Sequence, residues 1–223
     1  GMICAEDEIG LSNNHDGIIE IHADIKPGSM AKDYFEIKKD YCLDIGLTPN
    51  RTDAFGHIGV ARDLYAYFLN RGKNVKLSFP DVSRYTPNKS KLKIDLDIKN
   101  ITACQKYSGV CIEEVCVKPS PRWLKNRLIS IGLTPINNVV DITNFVLHET
   151  GNPLHAFDYD KIVGSKIIVR TAKSKEKFKT LDSNLINLNS KDLVISDSEK
   201  AICLAGVIGG EDSGVCNSTK NIF

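Results

Sequence analysis

KIIVRTAKSKEKFKTLDSNLINLNSKDLVISDSEKAICLAGVI, residues 166–208, carries five short apolar runs at close spacing. They are Lys166–Thr171, Lys177–Leu181, Leu185–Leu188, Leu193–Ser196 and Ala201–Ile208, separated by polar turn residues. Frequent short strands with polar turns indicate a largely antiparallel sheet or barrel rather than a doubly wound parallel sheet. The expected fold class is therefore α+β, with a largely antiparallel β core and flanking helices. The basic run Thr171–Lys179 reads either as a solvated hairpin tip or as a phosphate contact.

Just before this region lies Gly132–Asp158, GLTPINNVVDITNFVLHETGNPLHAFD. Its pattern predicts a loop, a helix from Asn138 to Glu149, and a stop at Gly151 and Pro153 that delivers His155 and Asp158 just past the helix end. Val139, Ile142, Phe145 and Val146 recur at helical spacing and define one buried face, while Asp141 and Asn144 share another. Polar groups on a short rigid element, followed by a braced imidazole, suit a small-substrate pocket. Capping and solvation by Asp141, Thr143 and Asn144, with His155 packed, is the alternative. A metal site would need His148, His155 and Asp158 to converge, and the helix stop between the two histidines argues against it.

Lys91–Ile98 alternates with period two, Tyr107–Val117 is β-rich, and Trp123–Ile131 has Leu124, Leu128 and Ile131 on one side of a helix. Composition shifts between Lys73 and Ser90, where Pro80 and Pro87 sit among Asp, Ser, Thr and Asn. This linker divides the chain into residues 1–78, a small mainly helical segment, and 79–223, the β-rich domain. Upstream, Ala54–Asn70 predicts a strong helix stopped by Gly72, its apolar face (Ala54, Phe55, Ile58, Ala61, Leu64, Tyr65, Phe68) packed in a core. Asn50, Arg51 and Asp53 precede it. They could hold an anion at the helix N-terminus, or Asp53 could cap the helix while Arg51 pairs with a carboxylate. Farther upstream, Gly17–Ala23 and Tyr41–Leu47 read as strands, Lys26–Gly28 as a turn, and Met30–Phe35 as a short helix.

The final glycine-rich segment, Leu204–Val215, does not fit a dinucleotide fingerprint, because no strand-turn-helix follows Gly206, Gly209 and Gly210. Glycine there can let a ligand approach the backbone or form a bulge, and Glu211 reads as a turn residue or an acid–base group. Across 223 residues, 29 basic side chains face 28 acidic ones, which excludes a globally basic nucleic-acid or membrane magnet. No apolar run approaches the roughly 20 residues that span a bilayer, and the start lacks signal-peptide order. Seven cysteines without a C-x-x-C pair predict buried free thiols, no zinc and a reducing, cytoplasmic setting. The termini suggest a piece cut from a longer chain.

Four motifs carry a resemblance. They are T-P-N-R-x-D-x-x-x-H-x-G-x-A-R-D-L (Thr48–Leu64), V-V-D-x-T-N-x-V (Val139–Val146), G-x-P-L-H-A-F-D (Gly151–Asp158) and L-A-G-V-I-G-G-E (Leu204–Glu211). Together with the opening G-M-I-C-A-E-D-E-I-G, they make the chain resemble the β subunit of bacterial phenylalanyl-tRNA synthetases over its whole length. The resemblance implies the second half of a B1-like domain followed by a B3/B4-like editing domain, truncated at its C-terminus. It implies a parent α2β2 enzyme, using ATP and Mg2+ on its α subunits to charge tRNA(Phe). For this stretch it implies hydrolysis of tyrosine mischarged onto that tRNA, without a metal or cofactor. A non-catalytic tRNA-binding or subunit-interface module of the same synthetase is the rival reading.

By the same resemblance, Thr143, Asn144 and His155 orient the water or the ester, and Leu204, Ala205 and Gly206 bind the amino acid. Two departures stand out. The family's last strand continues into a Leu-Glu pair, whereas this chain stops at Phe223, and Thr134 occupies a position where some relatives carry arginine.

Overall fold

Helix formation in this chain follows its caps. The structure, a computed structural model, describes residues 3–12, 14–21, 25–35, 39–87 and 91–223. The described chain forms two units, residues 1–43 and 44–223. The first holds a 3-10 turn at Asp7–Ile9 and the short helix α1 (Ala31–Tyr34), which follows the Lys26–Gly28 turn as the sequence predicts. The described part of the expected strand 17–23, residues 17–21, is irregular, and residues 22 and 23 lie outside the described residues. Tyr41–Leu47 is likewise not a strand, and no segment among the described residues pairs with it as one.

In the second unit, helix α2 spans His57–Asn70, not Ala54–Asn70. A 3-10 turn at Thr52–Ala54 and Gly56, at φ 151°, delay the start. The expected apolar packing is also incomplete. Of that face, Phe55, Leu64 and Phe68 are exposed, whereas Ala54 is buried. Helical periodicity marks a face that needs cover without saying that these residues supply it.

Strand β1 (Asp95–Ile98) comes after the irregular segment 71–87, which with Pro80 and Pro87 belongs to the second unit. The expected strand Tyr107–Val117 is reduced to one bridge, Ile112 with Ile222. Glu114 at φ 58° turns the backbone out of the extended region and breaks the register, beyond which Val115 N–H still donates to Lys220 O. Helix α3 (Arg122–Ser130) buries Leu124 and Leu128, and α4 (Asn138–Thr150) packs on both α3 and α2.

Six strands follow: β2 (Lys166–Thr171), β3 (Glu176–Lys179), β4 (Leu185–Leu188), β5 (Leu193–Ser196), β6 (Ala201–Leu204) and β7 (Ile208–Gly209). The last expected run, Ala201–Ile208, is a tight hairpin rather than one strand, because Gly206 takes φ 72° in a turn closed by Val207 N–H donating to Leu204 O. The main sheet has the order β1-β2-β5-β6-β7. Every pair is antiparallel except β1 with β2, which the long α3–α4 crossover makes parallel. One core gathers Phe157, Ile162, Ile167, Val169, Ile195, Ile202 and Cys203. A second joins Ala172, Phe178 and Leu188 to Val194 as the β3–β4 hairpin folds over the sheet.

Two glycines dock α2 on α4. A Cβ on Gly56 would lie 2.7 Å from the Gly151 nitrogen, and one on Gly151 would lie 2.3 Å from the Phe55 oxygen. Gly151 also needs φ 80° to cap α4. Gly151→Asn, which tolerates that φ but not the contact, is expected to cost about 2–4 kcal/mol in urea unfolding. Gly132→Asn, at φ 82° with open space around it, is expected to be nearly neutral.

Candidate functional site

Helix α4 is fixed at its first turn. The Asn137 side chain accepts hydrogen bonds from Val139 N–H and Val140 N–H, at 3.1 and 3.0 Å, satisfying donors that the helix cannot. Asn138 ties the same turn to the preceding segment, donating from Nδ2 to Cys116 O and accepting from Lys118 N–H. The side chain expected on a polar face, Asp141, is completely buried. Its carboxylate accepts from the Ser120 hydroxyl and, at 2.8 Å, from Ile136 N–H. Ile142, expected to be buried, is instead half exposed. Asp141 is buried because the loops at Ser120 and Ile136 present donors to it, while Val139 of the expected apolar face stays buried too.

Thr143 and Asn144 follow on the same helix, both half-buried. The Thr143 hydroxyl donates back to Val140 O at 2.7 Å. The Asn144 amide makes no side-chain hydrogen bond among the described residues. Phe145 meets Trp123 of α3 edge-on, with ring centroids 5.6 Å apart.

Past Gly151 the chain reaches His155, whose ring lies 4.3 Å from that of Phe157. On its other side is Gly209 of β7, where a Cβ would come within 2.5 Å of His155 Cε1 and 3.0 Å of Nε2. The residue is exposed to solvent, yet protein atoms crowd its ring. That desolvation lowers its pKa below the ordinary imidazole value and favours the neutral ring. No hydrogen bond to His155 is present among the described residues.

The Leu204–Gly206 segment divides between environments. Leu204 packs with the Phe178 cluster, Ala205 with the cluster that contains Phe157, and Gly206 has open space where a side chain would be. Ala205 thus packs on the cluster whose Phe157 ring also meets His155. No hydrogen bond or ring contact joins Thr143 or Asn144 to His155 among the described residues. Gly209 has no place among the residues that sequence reasoning assigned to the pocket. Its signal was the Gly209–Gly210 pair, which reads as close backbone approach without naming the side chain that approaches.

Other candidates resolve into structural roles. Arg51 grips Asp53 through Nε and Nη2, and Asp63 through Nη2 at 2.7–2.8 Å. These carboxylates raise its pKa, and Arg51 in turn holds that of Asp53 below the usual range. Asp53 therefore does not cap α2. Glu211 is a turn residue bound to Lys179 and the Ser183 hydroxyl. The cysteines are free, but Cys42, Cys116 and Cys216 are exposed rather than buried. Hydrogen bonds with Ser218 and Thr219 bring the Cys216 thiol down to about 7, while burial raises Cys203 to about 11. No cluster of three His, Cys, Asp or Glu side chains suited to a metal occurs among the described residues, and none of their helices is long and apolar enough to cross a membrane.

The chain is thus an α+β domain with an imidazole seated against a glycine strand. The B3/4 domain model matches residues 103–223, and the chain belongs to that family. Curated relatives are phenylalanine–tRNA ligase beta subunits. That of Bacteroides fragilis is 50% identical over the whole chain, and that of Porphyromonas gingivalis 45%. The chain spans 27% of the length of each. A solved N-terminal fragment of the phenylalanyl-tRNA synthetase beta-subunit from Pyrococcus horikoshii aligns at TM-score 0.44 and 20% identity, over 78% of this chain and 51% of that one.

Two outcomes follow from this geometry. Asp141→Ala orphans the buried Ser120 hydroxyl and Ile136 N–H, and is expected to lower unfolding free energy by about 2–4 kcal/mol in denaturant titration. In an NMR titration His155 is expected to protonate below the ordinary value of about 6.5. Because the unfolded chain then takes up the proton first, His155 weakens folding as pH falls below that value and has no such effect above it.

Proposed function

We propose that the chain is part of a phenylalanine–tRNA ligase β subunit whose B3/4 domain hydrolyses tyrosine mistakenly esterified to tRNA(Phe). The observation that carries this reading is the solvent-accessible His155 imidazole, unpartnered among the described residues, in a chain 50% identical throughout to such a subunit. A synthetic pocket for phenylalanine rejects a side chain that adds only a hydroxyl by about a hundredfold, so a second, hydrolytic site raises fidelity.

The chemistry asks little of the protein, since an aminoacyl ester is already activated. Neutral His155 takes a proton from water as its oxygen attacks the ester carbonyl carbon. The bond to the ribose oxygen then breaks and the proton passes to that oxygen, leaving free tyrosine and a tRNA terminal hydroxyl. On this reading Asn144, whose amide has no competing side-chain bond among the described residues, holds the water or ribose. Thr143, whose proton is engaged by Val140 O, contributes lone pairs. Gly206, with open space at its turn, admits the amino acid beside Ala205 and Leu204. ATP and Mg2+ serve the parent enzyme's charging site, the α subunit and the tRNA acceptor end are the partners, and the setting is the cytoplasm.

The test is deacylation of Tyr-tRNA(Phe) by the assembled α2β2 synthetase. His155→Ala combined with Asn144→Ala is expected to slow it by about 100-fold or more while leaving phenylalanine charging intact. Normal deacylation by that variant overturns the assignment. Turnover of simple tyrosine esters without tRNA would point to a small-molecule hydrolase instead.

A further inference from the structure

We propose that Gly209 is a positioning residue: its missing side chain is the seat that fixes the His155 imidazole, and the inference rests on the hydrolytic reading only for its effect on rate. The seat is defined by contact. A Cβ at Gly209 would fall 2.5 Å from Cε1, 3.0 Å from Nε2 and 3.6 Å from Nδ1 of His155, so the ring lies across the space that any other residue fills. The Phe157 ring lies against it as well, with centroids 4.3 Å apart, so the imidazole meets both an aromatic ring and a bare backbone while the residue stays open to solvent.

The strand beneath cannot recoil easily. Gly209 is paired with Cys203 in the β6–β7 ladder, and its carbonyl accepts from Leu181 N–H at 2.9 Å. The next residue is held as well, with Gly210 N–H donating to Ile202 O at 2.9 Å. The imidazole, by contrast, turns about two side-chain torsions and has no hydrogen bond holding it among the described residues. A methyl group added at Gly209 therefore displaces His155 rather than the sheet. Gly209 lies outside the left-handed φ region, so alanine is tolerated by the backbone and the substitution isolates the contact. Displacing a reacting group by about 1 Å costs on the order of a hundredfold in rate.

The experiment has two arms. By NMR on the full chain, a nuclear Overhauser contact between His155 Hε1 and the Gly209 α protons is expected, and Gly209→Ala is expected to abolish the native ring position and shift the His155 resonances. Gly214→Ala, whose Cβ meets only Leu181 Cδ1 at 3.4 Å, is the matched control and is expected to leave them in place. In the assembled synthetase, Gly209→Ala is expected to slow Tyr-tRNA(Phe) deacylation about a hundredfold, and to add no further loss in a His155→Ala background. Unmoved His155 resonances, or equal rate losses with and without His155, overturn the proposal. Should Gly209→Ala alone fail to fold, folding of the His155→Ala, Gly209→Ala pair supports the seat, and failure of the pair overturns it. A wild-type enzyme that does not deacylate, while Gly209→Ala still shifts His155, supports the seat and sinks the hydrolytic reading.

Discussion

Everything at the site depends on one short backbone ladder. Phe157 and Phe223 exchange both main-chain hydrogen bonds, at 2.9 and 3.0 Å, while Asp158 N–H donates to Ser213 O and Tyr159 N–H to Asn221 O. The buried Asp158 carboxylate completes the joint by accepting from the Thr219 hydroxyl at 2.6 Å. These bonds fasten the segment that leaves α4 to the chain's last residues, so a helix that packs on other helices delivers its imidazole to a sheet. The ring of Phe223 closes the joint by lying over Gly109, where a Cβ would collide with it. Replacing any of these partners loosens His155 without touching it.

The molecule uses bare backbone as its main fitting device. Gly56 against Gly151 brings two helices together, Gly109 receives Phe223, and Gly209 receives His155. In each case specificity comes from an absent side chain, and in each case the approaching group belongs to a distant part of the sequence. Polar atoms do the complementary task of fixing loops, most clearly at Asp141, which joins the Ser120 and Ile136 loops to α4 from a completely buried position.

That division explains what could be read in the sequence and what could not. Strands β2, β4 and β5 and helix α4 lie within a residue of their expected bounds, because alternation, capping by Asn137 and the Gly151 stop are local signals. The antiparallel α+β class followed from the spacing of those strands. Tyr107–Val117 misled because β-rich composition does not supply a partner strand, and only Ile112 and Val115 make backbone bonds to the 220–222 segment. The Asp141 face misled because an amphipathic pattern assumes that polar means solvated, whereas loop donors made burial favourable. At the candidate site, His155 behind its Gly-x-Pro stop was visible locally. The Gly209 seat was not, since contact between residues so far apart is set by the register of β6 and β7.

The late arrival of the Phe223 strand also sets an order of events during synthesis. Thr219, which anchors Asp158, lies 61 residues downstream. At about 5–20 residues per second, a ribosome needs roughly 3–12 seconds to add such a length. Helix α4 and its caps are complete before that interval begins, whereas the histidine has neither its glycine strand nor its backbone partners. A nascent chain therefore carries the residues of α4 and His155 for seconds before the segment that pins them is made.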